Sequence, residues 1–161
     1  MVKPKAYRST MVLVDLVFMS QVLHHLPDGP KALREVGRVL KLSGSLCIRQ
    51  TTRENLGSYF YQRFFPAARA VDERRLPCRD ELGGVASSCG FRTVAIETLS
   101  HQIAASATEY VDKIALRTYS DLECIDDAAF HEGLDALREH SFAHPGFPKL
   151  AENDVFIFEK I

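Results

Sequence analysis

The chain has 161 residues, 46% of them hydrophobic and 25% charged, with a net charge of −1. That is one ordinary globular domain with room for a core. So balanced a charge gives no electrostatic case for nucleic acid or an anionic membrane, and no apolar run is long enough to span a bilayer. The start, MVKPKAYRSTMVLVDLVFM, places positive charge before an apolar run as a signal peptide does. Asp15 interrupts that run and no small-residue cleavage site follows, so a buried strand is the expectation. Residues 11–20, MVLVDLVFMS, read as a strand buried on both faces, as in parallel sheets. The loop QVLHHLPDGP follows, with Asp28 placed to cap a helix and Pro30 suited to its first turn. Ala32, Leu33, Val36, Val39 and Leu40 share one helix face, Gly44 is the expected helix stop, and SLCIRQT is the next strand. A strand, helix and strand so spaced imply a right-handed parallel crossover.

Residues 54–72 read as an aromatic helix carrying Tyr59, Phe60, Tyr61, Phe64 and Phe65, broken or kinked at Pro66. A short helix over 79–89 turns Leu82, Val85, Ala86 and Cys89 inward and ends at Gly90; Phe91 to Leu99 alternates as a strand. Helices are expected over 106–119, with Tyr110, Val111, Ile114 and Ala115 inward, and over 127–141, capped by Asp126, with Phe130, Leu134 and Leu137 inward. HPGFP at 144–148 is a loop and DVFIFEKI a closing strand. The order β-α-β-α-α-β-α-α-β predicts a single α/β domain of three layers with a small mixed sheet of about four strands, and a helical insertion over about 104–150. Arg74 and Arg75 read as solvated surface. The four cysteines, Cys47, Cys78, Cys89 and Cys124, have no CxxC spacing and read as reduced, mostly buried thiols of a cytoplasmic protein.

DLVFMSQVLHHL, ALREVGRVLKLSGSLCI, ELGGVASSCGF with RTVAIETL, and DVFIFEKI, in this order, resemble the second half of the class I S-adenosylmethionine-dependent methyltransferases. The turn departs from the family's pattern: Leu42-Ser43-Gly44-Ser45 stands where proline and paired glycines are usual. The resemblance implies a partial Rossmann-like sheet in which this chain supplies the family's strands four, five, seven and six. The family's glycine-rich cofactor loop and the acidic residue that holds the ribose lie on its first two strands, and the sequence shows neither. That absence argues against self-sufficient catalysis. The strand at 12–19 would then be an edge, and an apolar edge invites pairing, so two chains are expected to join antiparallel through Val12 to Met19 in a homodimer. The helices at 106–141 are the candidates to cover the second face of that strand.

Ser20, Gln21, His24 and His25 lie just past the carboxyl end of a parallel strand, where open α/β sheets bind ligands. The resemblance implies that Ser20, Gln21 and His24 lie near the methionine end of S-adenosylmethionine, and that His25 acts as general base or orients the acceptor. Equally, one histidine packs in the loop while the other is solvated. Arg49 and Thr51 end the next strand and face the same crevice; Arg49 could bind a ligand's carboxylate or phosphate, or pair with Glu54 or Asp28. Tyr59 and Tyr61 could line an acceptor pocket or simply pack the core. His140 and His144 stand four apart, as two metal ligands on a helix can. Pro145 ends that helix, no third ligand stands nearby, and the helix dipole alone favours histidine there, so no metal site is expected. Two functions follow: an S-adenosylmethionine-dependent methyltransferase-like protein acting on a small molecule, the isolated chain being inactive without further cofactor contacts, or a non-catalytic homodimeric ligand-binding or structural module.

Overall fold

A computed structural model describes residues 13–146 and 150–161; Met11 and Val12, from the expected first strand, and 147–148, from the expected loop, lie outside them. Four strands form one mixed sheet: β1 (Val14–Ser20), β2 (Leu40–Gln50), β3 (Phe91–Gln102) and β4 (Leu150–Lys160). Their spatial order is β1-β2-β4-β3, with β1 parallel to β2 and β4 antiparallel to both its neighbours. That is the order four, five, seven, six which the resemblance implied.

Helix α1 (Gly29–Val39) begins as its sequence dictates, the Asp28 carboxylate accepting from Lys31 N at 2.8 Å. It ends earlier than expected. Leu40 is already extended, and Gly44 is no helix stop. Ser43 turns at φ 60°, and a Cβ on Gly44 would lie 2.8 Å from the Lys41 carbonyl and 3.3 Å from that of Asp15. The glycine therefore serves a close approach in the irregular start of β2, where pairing with β1 slips. Helix α3 (Arg79–Ser88) packs beside α1 on the same sheet face and stops at Gly90, whose φ of +87° suits glycine alone. Leu33, Leu40, Leu46, Ile48, Leu82, Ala86, Phe91, Phe156 and Phe158 close this core, with Val14, Val17 and Met19 against it.

The opposite face of β1 is open. Leu16 and Phe18 are 59% and 60% exposed, so the expected burial on both faces is not found. The reason lies in the helices α4 (Ala107–Ala115), α5 (Ser120–Glu123) and α6 (Asp127–Ala143): they do not cover that face but build a second core beyond the carboxyl ends of the strands. The aromatic segment forms its other half, and it is not a continuous helix. Residues 53–58 and 60–63 are two tight 3-10 turns, and Pro66 opens α2 (Pro66–Arg75) rather than kinking it. A side chain has taken one of the segment's backbone donors: Tyr61 N donates to the Tyr110 hydroxyl at 2.9 Å. Asp126 caps α6 as expected, accepting from Ala129 N at 2.8 Å. The four cysteines are free, but none is fully buried: Cys47, Cys78 and Cys89 are half-buried and Cys124 is exposed. Among the described residues, no helix is long and apolar enough to cross a membrane.

Candidate functional site

The two cores meet above the carboxyl ends of β1 and β2, around a cavity of about 250 Å³. Its walls come from five places in the chain: Gln21, His24 and His25 after β1; Thr51, Tyr59 and Tyr61 after β2; Asp72, Arg75 and Leu76 at the end of α2; Thr118 and Tyr119 after α4; and Ser120 and Asp121 in α5. Six of the eight residues singled out from the sequence thus converge on one space. Ser20 and Arg49 stand beside it: Arg49 Nη1 donates to Ser20 Oγ at 3.3 Å. Arg49 does not pair with Asp28 or Glu54, because Asp28 is spent on its helix cap and Glu54 accepts from Arg79 N.

Gln21 has φ 51°, turning the chain sharply at the strand end, and its amide grips Thr51 at both ends. Nε2 donates to Thr51 Oγ1 at 2.7 Å, and Oε1 accepts from Thr51 N at 3.0 Å. Asn153 Nδ2 donates to the same Thr51 Oγ1 at 2.9 Å and to the Tyr59 hydroxyl at 2.6 Å. Thr51 Oγ1 and the Tyr59 hydroxyl stand 2.9 Å apart, in a hydrogen bond that either can donate. Burial pushes that phenol's pKa up, so it remains a donor.

His24 is half-buried. Gln50 Nε2 donates to its Nδ1 at 2.9 Å, which leaves the ring proton on Nε2. Burial lowers its pKa to about 4, so the ring is neutral at neutral pH. His25 is exposed, its ring centroid 4.0 Å from that of His24.

Sequence reasoning missed the far wall. Asp72 is buried, and burial first, then the charge of Asp121, push its pKa up to about 6. Arg75 is not solvated surface: it donates to Asp72 Oδ1 and to Ser120 Oγ, both at 2.8 Å. Gln62 Nε2 donates to Asp72 at 2.8 Å and to Asp121 at 3.4 Å. The one available signal was the polar run Gln50-Thr51-Thr52, all buried, at the end of an alternating apolar strand. No local pattern marked Asp72 or Asp121. His140 and His144 stack with centroids 4.4 Å apart, against Phe60 and Phe64 on the His140 side.

A methyltransferase-domain family model matches residues 12–48, from β1 through most of β2. None of the curated proteins matches the sequence. Among solved structures, a presumptive methyltransferase of an antibiotic biosynthesis pathway from Anabaena variabilis ATCC 29413 superposes with a TM-score of 0.69 at 16% identity, over 93% of this chain and 68% of that one. A presumptive methyltransferase from Bacillus halodurans C-125 gives 0.57 at 15% identity, over 94% and 66%. The fold is that of the class I S-adenosylmethionine-dependent methyltransferases. Chemistry does not follow from this fold alone: the [4+2]-cyclase SpnF superposes with a TM-score of 0.51 at 16% identity, over 92% of this chain and 50% of its own. The chain thus spans half to about two thirds of the length of these three proteins.

Proposed function

We propose that this chain takes part in methyl transfer from S-adenosylmethionine to a small molecule, with the acceptor in the cavity between the two cores. The carrying observation is that cavity's position: it opens at the carboxyl ends of two parallel strands, where α/β sheets bind ligands, and residues of the family-matched segment line it. Bound S-adenosylmethionine would supply a methyl group on a sulfonium, an electrophile that needs little beyond alignment with its acceptor. The described residues fit the methionine end of that cofactor. Ser20 Oγ accepts from Arg49 and keeps its own proton to donate, so a hydroxyl and a guanidinium stand together as a carboxylate requires. Neutral His24 and the turned backbone of Gln21 complete this wall. Exposed His25 would take the acceptor's proton. Arg49 and Thr51 hold the strand end in shape, while Tyr59 and Tyr61 form the acceptor's apolar wall.

Calorimetric titration with S-adenosylmethionine and S-adenosylhomocysteine tests this reading. Saturable binding of both is expected; a folded chain that binds neither overturns it.

The free side of β1 favours a second reading, a homodimeric binding or structural module. Among the described residues β1 pairs only with β2, and an unpaired apolar edge is a template for another strand. Antiparallel self-pairing centred on Val17 would set Asp15 opposite Met19 and Leu16 opposite Phe18, with no like charges facing. Light scattering on the titrated sample should then report a dimer, and a monomer at micromolar concentration would end this reading.

A further inference from the structure

A larger groove lies beside the acceptor cavity. It has a volume of about 570 Å³ and runs between two distant stretches of chain: the loop after β1 with the start of α1, and the end of α2 with the start of α3. His24, Arg75 and Leu76 border both spaces. The groove's apolar surface comes from Leu23, Leu26, Pro30, Pro77 and Val85, and each of these keeps part of its surface open to solvent. Apolar side chains that converge on a concave surface, with a few polar groups at its border, are how small-molecule sites are built, and the volume falls within their range of about 300–1,000 Å³.

The charge around this groove is one-sided. Arg53, Arg74 and Arg75 border it against a single carboxylate, Glu81. Arg53 is paired with that carboxylate. Arg75 is spent on Asp72 and Ser120. Arg74 is exposed, and among the described residues it makes no hydrogen bond, ion pair or ring contact. Its guanidinium is always charged and presents a fixed fork of donors that matches a carboxylate or a phosphate. A free arginine on a surface is commonplace. A free arginine at the border of an open apolar groove gives that groove a preferred sign of ligand.

We propose that this groove is a second ligand site, which takes an amphipathic anion: an apolar chain covering Leu23, Leu26, Pro77 and Val85, with a terminal carboxylate or phosphate paired to Arg74. A neutral apolar ligand would cover the same side chains and leave Arg74 unused. An amphipathic cation would meet three guanidiniums and one carboxylate that is already paired. The site is separate from the acceptor cavity and does not depend on methyl transfer.

The test titrates octanoate, octyl phosphate, octanol and octylammonium into the full chain by calorimetry, each below the concentration at which it aggregates. At least one anion should saturate and bind about tenfold more tightly than octanol, the margin that a hydrogen bond to a charged group supplies. The tighter of the two anions identifies the terminal group. Octylammonium should bind no better than octanol. Added salt should erode the anion's advantage and change octanol little. Arg74→Gln alters an exposed side chain without partners, so the variant should fold and should bind the anion only as well as octanol. An unchanged anion affinity in that variant overturns the proposal. So do anions that fail to saturate, or that bind no more tightly than octanol or octylammonium; a dimer in light scattering from that sample would then assign the groove to a second copy of the chain.

Discussion

The two cores of this molecule are built on opposite terms. The sheet core between the strands and helices α1 and α3 is filled with aliphatic and phenylalanine side chains. The core beyond the strand ends is larger and more aromatic, and it closes around buried polar residues: Thr51, Gln62, Asp72, Asp121 and Asn153. Among the described residues, the three buried side-chain atoms without a hydrogen-bond partner, on Gln50, Gln62 and Asn153, lie on the second side or on its border. A core that only needs to be stable has no use for orphaned amides. The contrast sets the two halves apart: one is packed as a scaffold, and the other keeps polar groups around a cavity.

Asp154 is the joint between them. It is fully buried on β4 and is held by Arg79 through two bonds, at 2.7 and 2.9 Å, and by Thr52 and Thr98, each at 2.7 Å. Burial would raise its pKa, but these bonds outweigh burial and hold it below the ordinary carboxylate range. Thr52 is followed by the first tight turn of the aromatic segment, and Arg79 opens α3, so one carboxylate ties strand, turn and helix. Asp121 is buried too, but its partners are neutral: it accepts from the Tyr61 hydroxyl at 3.0 and 2.9 Å and from Gln62 Nε2 at 3.4 Å.

The largest expected effect comes from breaking this joint. Arg79→Ala strands a buried charge, which costs about 3–5 kcal/mol. Urea denaturation should show the loss, with far-UV and tyrosine signals falling together because both cores depend on it. An unchanged midpoint would mean that the ion pair is ornamental.

Gly133→Ala should separate the two halves. On α6, an added Cβ would lie 2.5 Å from the Phe64 carbonyl and 2.6 Å from the Phe65 ring. Overpacking of this kind costs about 1–3 kcal/mol. The near-UV tyrosine signal should weaken while the strand signal in the far-UV persists. Equal loss of both would show that the halves fold as one unit.

The smallest effect sharpens the electrostatic side of the comparison. His24 is held neutral in the fold, so its contribution is complete above pH 6.5 and fades as pH falls toward 4. His101, lowered by burial, acts in the same direction. Asp72 keeps its proton more firmly folded than unfolded. Its contribution is complete below pH 3.8 and is lost as pH rises through 6. The terms oppose each other between pH 4 and 6, and wild-type stability should be nearly flat there. Asp72→Asn removes one of them, so the variant should gain stability as pH rises from 4 to 6.5 where the wild type does not. Parallel profiles for the two proteins would contradict the assignment of Asp72.

The sheet core was legible residue by residue. Leu33 at helical spacing, Leu82 and Ala86, Asp28 as a cap and Gly90 as a stop all stand where local rules place them, because periodicity and capping act within a few residues of chain. The near wall of the cavity was legible too, since Gln21, His24, His25 and Thr51 sit at strand ends and strand ends are local features. The far wall was not. Asp72 and Asp121 are 49 positions apart in the sequence, each sits in an unremarkable polar helix, and only the packing of α2 against α5 brings them to one amide. The aromatic segment misled for the same reason: its spacing is helical, but a hydroxyl from α4 takes one of its backbone donors. The bare face of β1 belongs here as well, since an apolar run reads alike whether or not a second layer covers it. Sequence by itself determined the order of elements, the scaffold core and the strand-end loops, all of which rest on short-range chemistry. Tertiary structure alone decided the cavity, its two neighbouring aspartates and the open sheet face, because each depends on which distant groups arrive at the same place.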